Sequence, residues 1–117
     1  MVASDRIGHA LTGLTLTGVE EAVRALNERR VQRLVVCGKL HPPIGWQCQG
    51  CLAVYFTRQK QCQYCRSTNI RQGDLKSVII ARAYRLGCAI EIKSRCPELE
   101  QLGGVGVLLD ERCANHA

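Results

Sequence analysis

Two C-x-x-C pairs, Cys48-Gln-Gly-Cys51 and Cys62-Gln-Tyr-Cys65, stand ten residues apart in this 117-residue chain, and nothing else in it restricts the fold so strongly. A two-residue spacer lets a tight turn aim both sulfurs at one point, and two such turns close a tetrahedron around a single ion. Gly50 gives the first turn the backbone freedom that folding closely around a metal requires. The spacing therefore predicts one structural Zn²⁺ held by Cys48, Cys51, Cys62 and Cys65. Between the pairs, Leu52-Ala-Val-Tyr-Phe-Thr57 is rich in strand formers and predicts one arm of a zinc ribbon. Trp46 and Tyr55 lie close enough in sequence either to pack around the metal or to stack on nucleic-acid bases.

Eight cysteines in so short a chain also admit a disulfide framework or a redox pair. A redox motif needs only one C-x-x-C beside a helix, so two matched pairs argue against it. Cys37, Cys88, Cys96 and Cys113 occur singly with no matching spacing, a pattern that suits a reducing compartment. Cys37 and Cys88 adjoin predicted strands and are expected to pack as small apolar residues. A catalytic zinc keeps an open position and uses histidine or carboxylate ligands. His41, the nearest histidine, sits beside Pro42-Pro43 and outside the pairs, and the H-x-E of zinc deaminases is missing. No base, nucleophile pair or open metal position can be assembled from three scattered histidines, so the chain is not expected to be an enzyme or to take a small-molecule substrate.

The length fits one domain with a modest core. Hydrophobic residues make up 46% and aromatics only 4%, so that core must be aliphatic. No run approaches the roughly 20 apolar residues that cross a bilayer. No basic region followed by an apolar run opens the N-terminus. A soluble, cytoplasmic protein without membrane contact is expected.

Residues 1–16 show no sustained periodicity and predict a flexible lead-in. Thr17-Gly18-Val19-Glu20 has capping-box spacing, with the Thr17 hydroxyl placed for the Glu20 amide. Val19, Ala22, Val23 and Leu26 then recur at helical intervals. Val31 to Cys37 predicts a central strand, its unbroken Leu34 to Cys37 run suited to burial on both faces. His41-Pro42-Pro43 marks the exit into an excursion, drawn here as a zinc-ribbon insertion over residues 44–71, whose loss should leave the surrounding domain folded.

Asp74 is a good N-cap for a helix carrying Leu75, Val78, Ile79, Ala83 and Leu86, which Gly87 would end. Ala89-Ile-Glu-Ile-Lys93 alternates as a half-solvated strand. Pro97-Glu-Leu-Glu100 opens a short helix that Gly103-Gly104 stops, and Val105 to Leu109 forms a last strand. Gly103-Gly104-Val105-Gly106 lacks the Lys-Ser/Thr of a phosphate loop and is expected to be a turn-to-strand junction. This alternation predicts a three-layer α/β/α sandwich with a mostly parallel central sheet over residues 17–110, followed by a tail at 111–117.

Formal net charge is +6. A zinc tetrathiolate carries a net −2, which leaves about +4 with the site filled. Arg58, Lys60, Arg66 and Arg71 concentrate positive charge in and after the cysteine segment, the composition of a phosphate-binding face or of a solvated surface.

Three segments in succession, Thr17 to Val36, Cys48 to Cys65 and Leu99 to Leu109, make the chain resemble the C-terminal domain of archaeal and eukaryotic class I peptide chain release factors, with Pelota and bacterial release-factor-like relatives. The resemblance implies the sandwich of the ribosomal proteins that bind kink-turn RNA, here with an inserted zinc ribbon. It also implies a non-catalytic domain that contacts a translational GTPase or the ribosome in termination or ribosome rescue, with rRNA or tRNA contact possible. The Gly-Gly-Gln motif that acts in peptidyl-tRNA hydrolysis is missing from these 117 residues. Gly38-Lys-Leu-His-Pro-Pro43 does not look like the RNA-reading loop of kink-turn binders, which disfavours kink-turn recognition. The alternative is a zinc-ribbon RNA-binding module that acts through Arg58, Lys60, Arg66 and Arg71.

Overall fold

Helical periodicity and β-branched runs become ten elements in the computed structural model, which describes residues 14–110. In chain order they are β1 (Leu16–Thr17), α1 (Val19–Asn27), β2 (Val31–Cys37), β3 (Ile44–Cys48), β4 (Val54–Tyr55), β5 (Ile70–Asp74), α2 (Leu75–Arg85), β6 (Ala89–Lys93), α3 (Pro97–Glu100) and β7 (Val105–Leu109). Most of the lead-in and the tail at 111–117 lie outside the described residues. The boundary drawn at residue 17 falls inside β1, which pairs with β7 through Leu16–Val107 and Thr17–Gly106.

The strands form two sheets, one of four strands in the order β1-β7-β2-β6 and one of three in the order β4-β3-β5. Only the β2–β6 pair is parallel; β1–β7, β2–β7 and both pairs of the smaller sheet are antiparallel. This overturns the expected three-layer α/β/α sandwich with a mostly parallel sheet. Strand (32%) also exceeds helix (25%) among the described residues. The expectation assumed that every strand returns by a crossover to the same end of the sheet, and a crossover takes a dozen or more residues. The segment before β7 holds only the four-residue α3, so β7 enters from the opposite end and runs antiparallel between β1 and β2.

β2 is buried on both faces. Leu34 and Val36 pack with Ala22, Val23 and Leu26 of α1, with Ile79 and Ala83 of α2, and with Val105 and Val107 of β7. Val35 and Cys37 point the other way, against Cys96 and Leu99 at α3. α2 touches both sheets and joins them.

Thr17 does not cap α1. It is spent as an extended residue of β1, and Gly18, with φ of 101°, takes the N-cap position without a side-chain bond. Asp74 does cap α2, accepting from the Ser77 amide at 3.0 Å and its hydroxyl at 2.9 Å. Gly104 (φ +81°) shows why two glycines precede β7: a Cβ there would lie 2.6 Å from the Cys37 carbonyl oxygen. The stretch is the expected turn-to-strand junction.

The residues placed in an inserted excursion are continuous with the core. β3 and β5 form a ladder from Ile44–Asp74 to Cys48–Ile70, and β5 runs without a loop into α2. Val54 joins the main apolar cluster. The Asn27 carboxamide clasps Val54 on both sides, donating to its carbonyl at 2.7 Å and accepting from its amide at 2.9 Å. No helix among the described residues is long and apolar enough to cross a membrane.

Candidate metal centre

β3 ends in Cys48, and the chain then turns back on itself to reach β4; a second turn of the same build follows at Cys62. The two are matched bond for bond. The Gly50 amide donates to Cys48 Sγ at 3.3 Å and the Tyr64 amide to Cys62 Sγ at 3.4 Å. The amides of Leu52 and Arg66 donate to the carbonyls of Cys48 and Cys62 at 2.9 and 2.8 Å. The amides of Cys48 and Cys62 donate to the carbonyls of Ala53 and Ser67. Leu52 (φ 68°) and Arg66 (φ 67°) close the turns in the left-handed region. Non-glycine residues there cost on the order of 1–3 kcal/mol and persist only where surroundings hold them.

The turns bring the four sulfurs of Cys48, Cys51, Cys62 and Cys65 within 4.8 Å of one another. Cys48 and Cys65 are 3.4 Å apart and Cys51 and Cys62 3.6 Å. A tetrahedron with metal–sulfur bonds of about 2.3 Å has edges of about 3.8 Å, so the donor set fits a single four-coordinate ion. Disulfides require about 2.05 Å, and the seven cysteines among the described residues are all free. A Cβ on Gly50 would come within 3.2 Å of Cys65 Sγ, a tight contact that glycine avoids.

The surroundings divide the thiols. Burial alone would raise Cys62, but the Tyr55 hydroxyl and the amides of Cys65 and Tyr64 donate to it and bring it down to about 6. Cys48, buried too, is lowered by the amides of Cys51 and Gly50 and by the Cys65 thiol. Cys51 is pushed up to about 12, chiefly by burial. Two of the four sulfurs are thus stabilised as thiolates, the form that binds a metal.

Behind the first turn lies Arg82, 2% exposed and the largest fully buried side chain among the described residues. Nη1 donates to the Cys51 carbonyl at 2.7 Å, while Nε and Nη2 donate to the carbonyls of Leu26 and Asn27 at 3.3 Å. Arg82 thereby ties the C-terminus of α1 to the metal turn. Gln47, also buried, donates to the carbonyls of Leu52 and Val78. Neither residue stood out by motif. Arg82 had a signal in its spacing, falling seven residues after Leu75 on the apolar stripe of α2.

The other candidates scatter. Arg58, Lys60, Arg66 and Arg71 are all exposed. Arg58 and Lys60 line one depression with Gln59, Thr68 and Ile70. Arg66 sits in the second turn, and Arg71 lies on β5 with Nε 3.4 Å from Asn69 Oδ1. Trp46 is half-buried and pairs across the ladder with Tyr55. Tyr55 serves the metal site, its hydroxyl donating to Cys62 Sγ at 3.2 Å and accepting from the Gln63 amide at 3.0 Å. Tyr64 is the more open ring, 44% exposed. His41 lies in an exposed loop, lining a depression with Lys39 and with Lys76 of α2, outside the thiol cluster.

Cys37 packs at the end of β2 against Glu100, and burial together with that carboxylate pushes its thiol up to about 11. Cys88 donates to the Val31 carbonyl at 3.2 Å, Cys96 is buried, and Cys113 lies outside the described residues. No protein-family model and no curated protein matches the chain.

Proposed function

We propose that the chain is a non-catalytic interaction module that binds the ribosome through RNA, its shape held by one structural Zn²⁺ at Cys48, Cys51, Cys62 and Cys65. The observation that carries this reading is the pair of matched turns converging four sulfurs at tetrahedral spacing. Four thiolates fill the coordination shell and leave no position for a substrate, which favours a structural ion. Thiolate softness and closed tetrahedral geometry favour zinc over harder divalent ions.

Arg58, Lys60, Arg66 and Arg71 all project from the segment that the metal organises, and a phosphate-rich partner suits them. The resemblance to release-factor C-terminal domains supplies the ribosome as that partner, in termination or rescue, with a translational GTPase as a second contact.

The test is co-sedimentation of the zinc-loaded chain with ribosomes across a salt series, beside metal analysis. Binding at low salt that falls steeply with added salt, and one zinc per chain, are expected. A chain that stays in the supernatant at low salt, or binds with no salt dependence, overturns the RNA reading.

A further inference from the structure

Between α1 and the second metal turn lies a groove lined by three aromatic rings, Tyr55, Phe56 and Tyr64, and three carboxamides, Asn27, which is engaged with Val54, and Gln59 and Gln63. It is a shallow, open depression of about 400 Å³. Tyr64 presents an open ring at its mouth, tilted 34° to Tyr55 with centroids 6.4 Å apart. Gln59 holds its amide nitrogen against Thr57, and its carbonyl oxygen has the capacity to accept.

Gln59 also lines the neighbouring depression that holds Arg58 and Lys60. One tripeptide, Arg58-Gln59-Lys60, therefore separates an aromatic groove from a basic hollow and contributes to both. Single-stranded nucleic acid is gripped by such a combination: cations track the phosphates while aromatic faces stack on unpaired bases. The Gln63 carboxamide offers donor and acceptor together, the complement of a base edge, and Gln59 adds its carbonyl oxygen as an acceptor. Glu20 and Arg24 stand together on the α1 rim, so the net positive charge lies on the opposite side, at Arg58 and Lys60.

We infer that this groove is a binding site for an unpaired base of single-stranded RNA, stacked on Tyr64 and read at its edge by Gln59 and Gln63. The inference rests on the RNA reading above and names the form of RNA recognised.

The experiment is fluorescence anisotropy of the zinc-loaded full chain with a labelled short oligouridylate and with an RNA duplex of equal length, over a salt series. Tyr64→Ala should weaken oligouridylate binding by about tenfold or more, leaving the salt slope and duplex affinity unchanged. Tyr64→Trp should restore it, and Gln63→Ala should weaken it in the same selective way. Arg58→Ala and Lys60→Ala should weaken both ligands and flatten the salt slope. Zinc content of each variant is measured alongside; if Tyr64→Ala loses metal, Gln63→Ala and Tyr64→Trp decide. Unchanged oligouridylate affinity in the Tyr64 and Gln63 variants, with the Arg58 and Lys60 variants impaired, overturns the base site while leaving RNA binding intact. Failure of the unmodified chain to bind either RNA at low salt overturns both.

Discussion

Arg82 is a cation placed where a leucine would be expected, on the buried stripe of α2, and it donates to three backbone carbonyls at once. Replacing it with Met keeps the volume and takes the side-chain donor from the Asn27 and Cys51 carbonyls, while Leu26 keeps the Arg29 amide. At ~1–3 kcal/mol for each buried acceptor left unmade, Arg82→Met should lower stability by about 2 kcal/mol or more, read by denaturant titration. Arg82→Lys should recover little, because an ammonium lacks the planar fork that spans three acceptors. Helical spacing put Arg82 on the inward face, but nothing in the sequence said which carbonyls would face it, since those belong to the end of α1 and to Cys51. The four clustered cysteines needed no such long-range information, because each C-x-x-C turn is local and the two converge on one point. Cys37 gives a second test. Its thiol is raised from 9.0 to about 11 in the folded chain, so the neutral form is favoured by folding. That contribution to stability is complete below about pH 9 and is lost as pH rises from 9 toward 11. Thiol-alkylation mapping on the native metal-loaded protein at neutral pH should accordingly leave Cys37 unmodified, and its reactivity should appear only on unfolding or in strong alkali.

Among the elements, α1, β2, α2 and β7 were readable from periodicity because each buries an apolar stripe or face of its own, and β6 from its alternation, although only Ile90 packs on the core and Ile92 is 60% exposed. β3 and β5 were not. Ile70-Arg-Gln-Gly-Asp74 carries almost no apolar alternation, and it becomes a strand because β3 offers it a ladder while Asp74 starts α2 immediately after it. The direction of β7 was misread for a related reason. Alternating helices and strands do not specify strand polarity; the length of the connection does, and α3 is too short to carry the chain back. The glycines beside it are therefore structural. Gly104→Ala places a Cβ against the Cys37 carbonyl at a φ that L-residues avoid, and strain of this kind costs on the order of 1–3 kcal/mol before the clash is counted. A drop of about 2 kcal/mol or more in a denaturant titration, with zinc content unchanged, is expected. An effect near zero would mean that the β2 end relaxes freely.

Taken whole, the molecule does not separate into a domain and a detachable ribbon. Asn27, Gln47 and Arg82 each bond across the boundary, and Val54 belongs to the main core. Chelation of the metal should accordingly unfold the chain in one cooperative transition, followed by far-UV circular dichroism and Tyr55 or Trp46 fluorescence together. A loss of even ~3 kcal/mol would lower Tm by roughly 12–24 °C for a chain near this size. Cys48→Ser should behave as chelation does, whereas survival of the four-stranded sheet with only the ribbon melted would restore the picture of an independent insertion. The matched turns are unequally anchored. Cys48 sits at the end of β3 and Cys51 is roped to Arg82, while Cys65 lies exposed on a turn whose named tie to the rest is the Tyr55 hydroxyl. A metal held by the four sulfurs would therefore be most open to a competing chelator at Cys65, and its lifetime would depend on how long the outer turn stays closed.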